Sequence, residues 1–134
     1  MILVDASVAL KWFLNEPDAE AAEWLSLNHS LVAPQLIVAE IANGLWKAVR
    51  KQAFVAEDAI AAIASLLAQF DLLVPLDTLG ERALQIAIQL DHPVYDCFYL
   101  AAAEREGLEL VTADRRFLKA VEGSAWAPVC RSLS

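Results

Sequence analysis

Short aliphatic runs alternate along the chain with longer segments whose apolar residues recur every three or four positions. The runs are typical of strands buried on both faces of a sheet, and the longer segments are typical of amphipathic helices. Strands are predicted at residues 2–4, 31–33, 72–74 and 108–112, with a small edge strand at 129–130. Because consecutive parallel strands are joined by right-handed helical crossovers, the pattern predicts an α/β protein with a mostly parallel sheet of four to five strands.

The helical segments show capping signals and apolar faces. Helices are predicted over residues 7–15, 18–27, 35–51, 57–70, 78–90, 94–106 and 114–121. Ser7 can cap the first helix, and Thr78 with Glu81 has the spacing of a capping box. The third and fourth helices are expected to bury Val38, Ile41, Leu45 and Val49, and Ile60, Ile63, Leu67 and Phe70, respectively.

Composition narrows the class of protein. The 134 residues fit one domain, predicted to span 1–134, and a hydrophobic fraction of 58% excludes intrinsic disorder. The longest uncharged helical stretch, 59–70, is too short to cross a bilayer, and no secretory leader is visible, so we expect a cytoplasmic protein without a membrane anchor.

Two distant cysteines, Cys97 and Cys130, are typical of reduced thiols. The apolar excess predicts a subunit or partner interface.

The net charge of −8 argues against a protein that binds nucleic acid through a broad basic surface. It is compatible with a nuclease whose acidic site holds cations, because those cations can bring phosphates close. Such a protein should bind RNA weakly when the metal is removed.

Four of the acidic residues stand in apolar surroundings. Asp5 and Asp114 follow two buried strands, and Glu40 and Asp96 lie within apolar helical segments. Ligands of parallel α/β sheets bind beyond the carboxyl ends of the strands. A carboxylate in such a place is costly to desolvate unless it is paired or coordinates a cation.

Each acid has a purely structural explanation when taken alone. Asp5 or Asp114 can cap a helix, Asp96 can cap the helix after Pro93, and Glu40 can pair with Lys47 or an arginine. The nearby basic residues are too few to neutralise all four acids, so a shared acidic cluster is the competing prediction. Such a cluster would favour Mg²⁺ or Mn²⁺, because all its ligands are oxygens and neither histidine has a partner at metal-ligand spacing. Both histidines, at positions 29 and 92, are predicted to be loop residues.

Polar neighbours extend this cluster. Ser7 and Thr112 place hydroxyls near Asp5 and Asp114, and the amide of Asn43 lies one turn beyond Glu40. A water made acidic by a bound cation can attack phosphorus in line. The predicted chemistry is metal-dependent phosphodiester hydrolysis.

Four motifs in the expected order resemble the PIN-domain family, and more narrowly its VapC-type toxins. They are ILVDAS at 2–7, AEIAN at 39–43, YDCFYLA at 95–101 and LVTADRRF at 110–117. The resemblance implies a three-layer α/β/α sandwich and a Mg²⁺- or Mn²⁺-dependent, single-strand-selective endoribonuclease that cuts tRNA or rRNA loops. It implies catalytic roles for Asp5, Glu40, Asp96 and Asp114, metal binding by Asp5, Asp96 and Asp114, and support from Ser7, Asn43 and Thr112. It also implies a homodimer and a VapB-like antitoxin partner.

One position departs from the family pattern. Many relatives have an acidic or amide residue two positions after the last aspartate, where this chain has Arg116, so a second metal site is less secure than the first. Basic residues that can contact RNA phosphates are Lys11, Arg50, Lys51, Arg115 and Arg116. The alternative function is a catalytically inactive PIN-like module whose acids receive a basic partner segment. A receiver domain and a dehalogenase-type phosphatase are less consistent with the motifs.

Overall fold

A computed structural model describes all residues, 1–134. Five strands form one sheet: β1 Ile2–Val4, β2 Leu31–Pro34, β3 Phe70–Val74, β4 Leu110–Thr112 and β5 Cys130–Ser132. Their order is β3-β2-β1-β4-β5, and every neighbouring pair is parallel. β2 and β3 therefore lie on one side of β1, and β4 and β5 lie on its other side. The crevice between β1 and β4 is the point where ligands bind in sheets of this kind.

Seven α-helices connect and cover the strands: α1 Ala6–Ala9, α2 Ala19–Asn28, α3 Leu36–Arg50, α4 Ala56–Leu67, α5 Gly80–Leu90, α6 Val94–Glu106 and α7 Arg115–Val121. Short 3-10 turns follow α1 at Leu10–Trp12 and precede α5 and β5 at Leu76–Thr78 and Ala127–Val129. The predicted α/β class and parallel sheet are confirmed.

The three central strands, β2, β1 and β4, are buried on both faces, as their continuous apolar runs predict, whereas the edge strands β3 and β5 are partly exposed. In β1, Leu3 belongs to a large cluster of 25 buried residues that includes side chains of α3 to α7. Its neighbours Ile2 and Val4 point the other way, into a smaller cluster with Val8 of α1 and Leu25 of α2. Successive residues of a strand face opposite sides of the sheet, which produces the three-layer sandwich.

The predicted inner faces of α3 and α4 are partly wrong. In α3, Ile37 and Ala48 are buried beside Ile41 and Leu45, whereas Val38 and Val49 are only half-buried. In α4 the small residues Ala59 and Ala62 face the core with Leu66, and Ile60 is 75% exposed. Phe70 belongs to β3 rather than to this helix. Ile60 and Ile63 instead line an apolar cavity between α3 and α4, together with Trp46.

Two predicted capping arrangements are also wrong. Asp5, and not Ser7, caps α1, which ends at Ala9 and continues only as a 3-10 turn. Thr78 donates its hydroxyl hydrogen bond to the carbonyl oxygen of Pro75, so it forms no capping box with Glu81, and α5 begins without a side-chain cap. In contrast, α6 spans 94–106 as predicted, and Gly107 follows it with the positive φ of 65° that glycine adopts readily.

None of the helices has both the length and the apolar character required to cross a bilayer. Cys97 and Cys130 are free thiols. Burial is the main cause that raises the pKa of each thiol to about 11, so both remain protonated at neutral pH.

Candidate active site

Asp5 lies at the carboxyl end of β1 and receives hydrogen bonds from two hydroxyl groups. Ser7 donates to Oδ1 over 2.5 Å, and Thr112, at the end of β4, donates to Oδ2. The backbone N–H of Val8 also donates to Oδ1 over 3.3 Å, which is the capping contact of α1. Asp5 therefore joins the two strands that flank the crevice of the sheet.

The Asp5 carboxyl is 8% exposed, and burial is the main reason that its pKa is raised from 3.8 to about 6. The donors Ser7, Thr112 and Val8 oppose this shift because they stabilise the ionised form, while the charge of Asp114 adds to it. No basic side chain forms an ion pair with Asp5. Its charge is thus buried and has hydrogen-bond donors but no basic partner.

Glu40 projects from α3 and is held by a residue of α6. The hydroxyl of Tyr99, a buried side chain, donates to Oε1 of Glu40 over 2.6 Å. Burial raises the pKa of Glu40 most, the Tyr99 bond lowers it, and the charges of Asp5 and Asp96 raise it further. The alternative, an ion pair of Glu40 with Lys47 or an arginine, is not formed.

Asp96, in the first turn of α6, is paired with His92. The Nε2 atom of His92 lies 2.8 Å from Oδ2 of Asp96, and its ring stacks on Phe117 with centroids 6.0 Å apart. His92 lies in the loop before α6, as predicted, but its contact with Asp96 was not predicted. Asp96 does not cap α6, whose N-cap, Pro93, makes no side-chain cap bond.

Asp114 follows β4 and caps α7. Its Oδ1 accepts hydrogen bonds from the backbone N–H groups of Arg116 and Phe117 at 3.0 and 3.2 Å. The N–H of Asp114 in turn donates to Thr112, and the neighbouring N–H of Ala113 donates to Ser7. The two hydroxyls that bind Asp5 thus also fix the backbone that leads to Asp114.

The four carboxylates form one electrostatic cluster. Asp5 interacts with Asp114, and Glu40 interacts with both Asp5 and Asp96 strongly enough to raise pKa values. Their oxygens are contributed by the ends of β1 and β4 and by the first halves of α3 and α6. The helix-capping roles of Asp5 and Asp114 are real, but they coexist with membership of the cluster.

The other predicted residues lie outside these contacts. Asn43 is exposed one turn beyond Glu40 and makes no hydrogen bond with it. Lys11 is committed to Glu16 and to the carbonyl of Pro17, at 3.3 and 2.9 Å. Exposed basic side chains lie at the end of α3, at Arg50 and Lys51, and at the start of α7, at Arg115 and Arg116. Arg50 stacks on Trp46 at 5.4 Å.

The donor chemistry of the cluster fits a hard cation such as Mg²⁺ or Mn²⁺. All its donors except His92 are oxygens, and three of the carboxylates have no basic partner. As placed, the side chains bring no three His, Cys, Asp or Glu groups to one ion. Mg²⁺ commonly keeps several waters and uses only one or two carboxylates, so this arrangement suits an ion held partly through water.

In this fold the carboxylates gather beside β1 and β4, where the strand order reverses. The chain belongs to the PIN-domain family, whose model spans residues 2–123. It is 34% identical to VapC ribonuclease Mb0985 of Mycobacterium bovis over 96% of each chain, and 34% identical to Ribonuclease VapC9 of Mycobacterium tuberculosis over the same share. It is 32% identical to Exonuclease VapC9 of Pyrobaculum aerophilum, over 91% of this chain and 86% of that protein.

Solved structures agree with this membership. PAE2754 from Pyrobaculum aerophilum superposes with a TM-score of 0.67 and 30% identity over 92% of this chain and 81% of its own. A toxin–antitoxin complex from Klebsiella pneumoniae contains a chain with a TM-score of 0.71 and 18% identity, covering 100% of this chain and 98% of that one. At that identity the likeness shows the fold alone.

Sequence reasoning missed Tyr99 and His92. His92 precedes Asp96 by only four residues, which was a local signal for a contact, although His92 itself lies in the loop before α6. Tyr99 gave no comparable signal, because the contact with Glu40 joins residues 59 positions apart.

Proposed function

We propose that the chain is the toxin of a type II toxin–antitoxin pair and a Mg²⁺- or Mn²⁺-dependent endoribonuclease, with residues 1–134 forming a single PIN-like domain. The observation that carries this proposal is the buried Asp5 carboxylate, which has no basic partner and lies within a cluster of four acids. The ribonuclease names of relatives at 34% identity support it.

In this proposal Asp5, Asp96 and Asp114 hold the metal ion, directly or through water. When bound, the ion supplies Lewis acidity toward a phosphate oxygen and lowers the pKa of a bound water. Ser7 and Thr112 orient the Asp5 oxygens by donating to both of them. Arg116, two positions after Asp114, is exposed and basic, so a second metal site has less support than the first.

Glu40 orients the attacking water. Tyr99 occupies its Oε1, which leaves Oε2 free to accept a hydrogen bond from that water. The raised pKa of Glu40 brings the carboxylate closer to the neutral range in which a general base is effective. Asn43, exposed one turn away, is placed to donate to a substrate phosphate.

The substrate is single-stranded RNA, such as a loop of tRNA or rRNA. Arg115 and Arg116 on α7 and Arg50 and Lys51 on α3 supply local positive charge for phosphates beside an acidic centre. Lys11 is less available for an RNA phosphate, because its ammonium group already binds Glu16 and the carbonyl oxygen of Pro17.

The proposed partners are a VapB-like antitoxin and a second copy of the chain. Solved structures related in fold include a toxin–antitoxin complex and VapBC2 of Rickettsia felis bound to promoter DNA, the latter with a TM-score of 0.64, 16% identity and 98% coverage of both chains. Exposed Trp46 and Ile60 offer apolar surface for such contacts. The free thiols support a reducing, cytoplasmic location.

Induction of the native chain and of the Asp5→Asn variant in growing cells tests the proposal. The native chain should arrest growth and generate discrete RNA fragments, and the variant, expressed at the same level, should do neither. Equal arrest and equal fragments with both chains would contradict it.

The second candidate is a binding module whose acids receive a basic partner segment. It is favoured by the fact that no three acidic or histidine side chains surround one point. Such a module would bind its partner and would cause no metal-dependent loss of RNA, so an assay of the purified chain with Mg²⁺ distinguishes the two.

A further inference from the structure

The basic residues of this acidic protein fall into two groups. Four of the ten, Lys11, Arg82, Arg105 and Arg131, lie within 4 Å of a carboxylate. The other six have no acidic partner at that distance. They are confined to two segments, with Lys47, Arg50 and Lys51 at the end of α3, and Arg115, Arg116 and Lys119 on α7. Positive charge that the protein leaves unpaired is available to an anionic ligand.

One face of α3 connects the acidic cluster to the first group. Glu40, Gly44, Lys47 and Lys51 follow the spacing of a single helix face. From the helical rise, Lys47 lies about 10 Å and Lys51 about 16 Å beyond Glu40 along the axis. Gly44 allows the 3-10 turn that follows α1 to pack closely against α3, because a Cβ atom at position 44 would lie 2.4 Å from the Leu10 side chain.

Below that contact, a cavity of about 520 Å³ opens between the 3-10 turn and the end of α3. Lys47 and Lys51 form one wall, and Asn15 and Glu16 contribute to another part of the lining. Apolar side chains, including Phe13 and Phe54, complete it, and Phe13 is 37% exposed. The volume lies in the range that binds small organic ligands.

This lining combines what a nucleotide requires. Aromatic side chains provide surfaces on which a base can stack, and two lysines provide ammonium groups for phosphates. An apolar peptide segment in the same cavity would desolvate both ammonium groups without compensating their charge. The chemistry therefore favours a nucleotide over an apolar protein segment.

We propose that this cavity, lined by Phe13, Lys47, Lys51 and Phe54, binds one nucleotide of the substrate RNA and so contributes to the choice of cleavage site. The base packs against Phe13 and Phe54, and the lysines contact the phosphates on either side. The proposal rests on the proposed ribonuclease function and adds a subsite to it, displaced from the acidic cluster along α3.

A charge variant tests the phosphate contacts. We compare Lys47→Gln/Lys51→Gln with Arg105→Gln/Arg131→Gln, which removes the same charge from paired, exposed arginines. Cleavage of a short unstructured RNA in Mg²⁺ should show a KM raised about tenfold or more, with kcat within about twofold of the native chain. The dependence of log(1/KM) on log[salt] should become less steep by about 1.4, since each phosphate contact to a single strand contributes roughly 0.7. The arginine control should keep the native KM and slope.

An RNA that carries a single abasic nucleotide, moved through the sequence, tests the base contact. The native chain should lose about five- to a hundredfold in kcat/KM at one position near the cut, which is the range for loss of one stacked base. Phe13→Ala should lose a similar factor with intact RNA and should be insensitive to the abasic nucleotide at that position. Because Phe13 is partly exposed, this variant should remain folded, which circular dichroism checks.

The results separate this inference from the function on which it depends. If the native chain cleaves no RNA, the proposed function fails. If it cleaves RNA but the lysine variant matches the arginine control, or loses kcat with an unchanged KM, only the nucleotide subsite is overturned. Equal abasic sensitivity of native chain and Phe13→Ala would overturn it as well.

Discussion

The phenol of Tyr99 donates a hydrogen bond to Oε1 of Glu40 across 2.6 Å, joining α6 to α3 beneath the acidic cluster. Tyr99 is buried, and its pKa is raised well above the ordinary value, first by burial and then by the charge of Glu40. It therefore stays a proton donor at any pH at which the protein works. One carboxylate oxygen is fixed by this bond, and the other is free for a ligand.

Tyr99→Phe should impair the reaction through Glu40. Loss of the donor removes the contact that lowers the pKa of Glu40, so that pKa should rise further. The acid limb of the pH–rate profile should move to higher pH, and kcat at neutral pH should fall about tenfold. Loss of one hydrogen bond to a charged group should lower the free energy of unfolding by about 1.5–3 kcal/mol, measured by urea denaturation.

Tyr95→Phe is the matched control, because Tyr95 lies on the same helix and is 63% exposed. It should leave both the pH profile and the stability unchanged. A Tyr99→Phe enzyme that is less stable but retains the native pH profile would show that Tyr99 only supports packing.

His92→Gln should weaken metal binding at Asp96. The imidazole fixes one Asp96 oxygen at 2.8 Å, and partners that orient metal-binding carboxylates commonly contribute about 10–100-fold to affinity or activity. The Mg²⁺ concentration for half-maximal cleavage should therefore rise by about tenfold or more. His29→Gln, a change at a histidine that contacts Trp24 instead, should not alter it. Equal Mg²⁺ dependence of the two variants would argue against a positioning role for His92.

The stability of the metal-free protein should fall as pH rises from about 4 to about 7. Burial raises the pKa of Asp5 from 3.8, the ordinary value that applies to the unfolded chain, to about 6 in the folded chain. Between these two values the folded state therefore binds more protons than the unfolded chain. Raising the pH then favours unfolding, by up to about 3 kcal/mol from this group. Urea denaturation in EDTA at several pH values measures the slope, and the native-minus-Asp5→Asn difference isolates Asp5. An equal slope in both proteins would contradict the shifted pKa.

Asp5→Asn should make the metal-free protein more stable at pH 8. Asparagine removes the buried charge and can still accept from Ser7 and Val8, while the Thr112 hydroxyl can turn to accept from the new amide. We expect a gain of about 1–3 kcal/mol in EDTA, together with loss of the thermal stabilisation that Mg²⁺ gives the native chain. Asp77→Asn, at an exposed position, should behave like the native chain. Destabilisation by Asp5→Asn would mean that its charge is compensated.

The order of strands and helices could be predicted from the sequence because burial on both faces leaves uninterrupted aliphatic runs. The end of β1 was marked by Asp5 and the end of β4 by Asp114, and these are the positions where a parallel sheet binds ligands. The inner face of α4 could not be predicted from hydrophobicity, because the less hydrophobic Ala59 and Ala62 face the core while Ile60 is exposed beside α3.

The members of the acidic cluster could be predicted from the sequence, but the contacts that they make could not. An aspartate at a strand end can cap a helix or bind an ion, and the sequence cannot show that Asp5 caps α1 and also accepts from Thr112, 107 residues away. The bond from Tyr99 to Glu40 and the unpaired state of Lys47 depend in the same way on how α3 packs against its neighbours. Long-range side-chain contacts of this kind are set by tertiary packing.

The most direct test of a metal-dependent acidic centre is cleavage of a single-stranded RNA by the purified chain. The native protein and Asp77→Asn should cut it with Mg²⁺ or Mn²⁺ and should stop when EDTA is in excess. Asp5→Asn, shown to be folded by its thermal transition, should cut at less than about one-thousandth of the native rate. Cleavage that continues in excess EDTA, or a native rate from Asp5→Asn, would contradict the account.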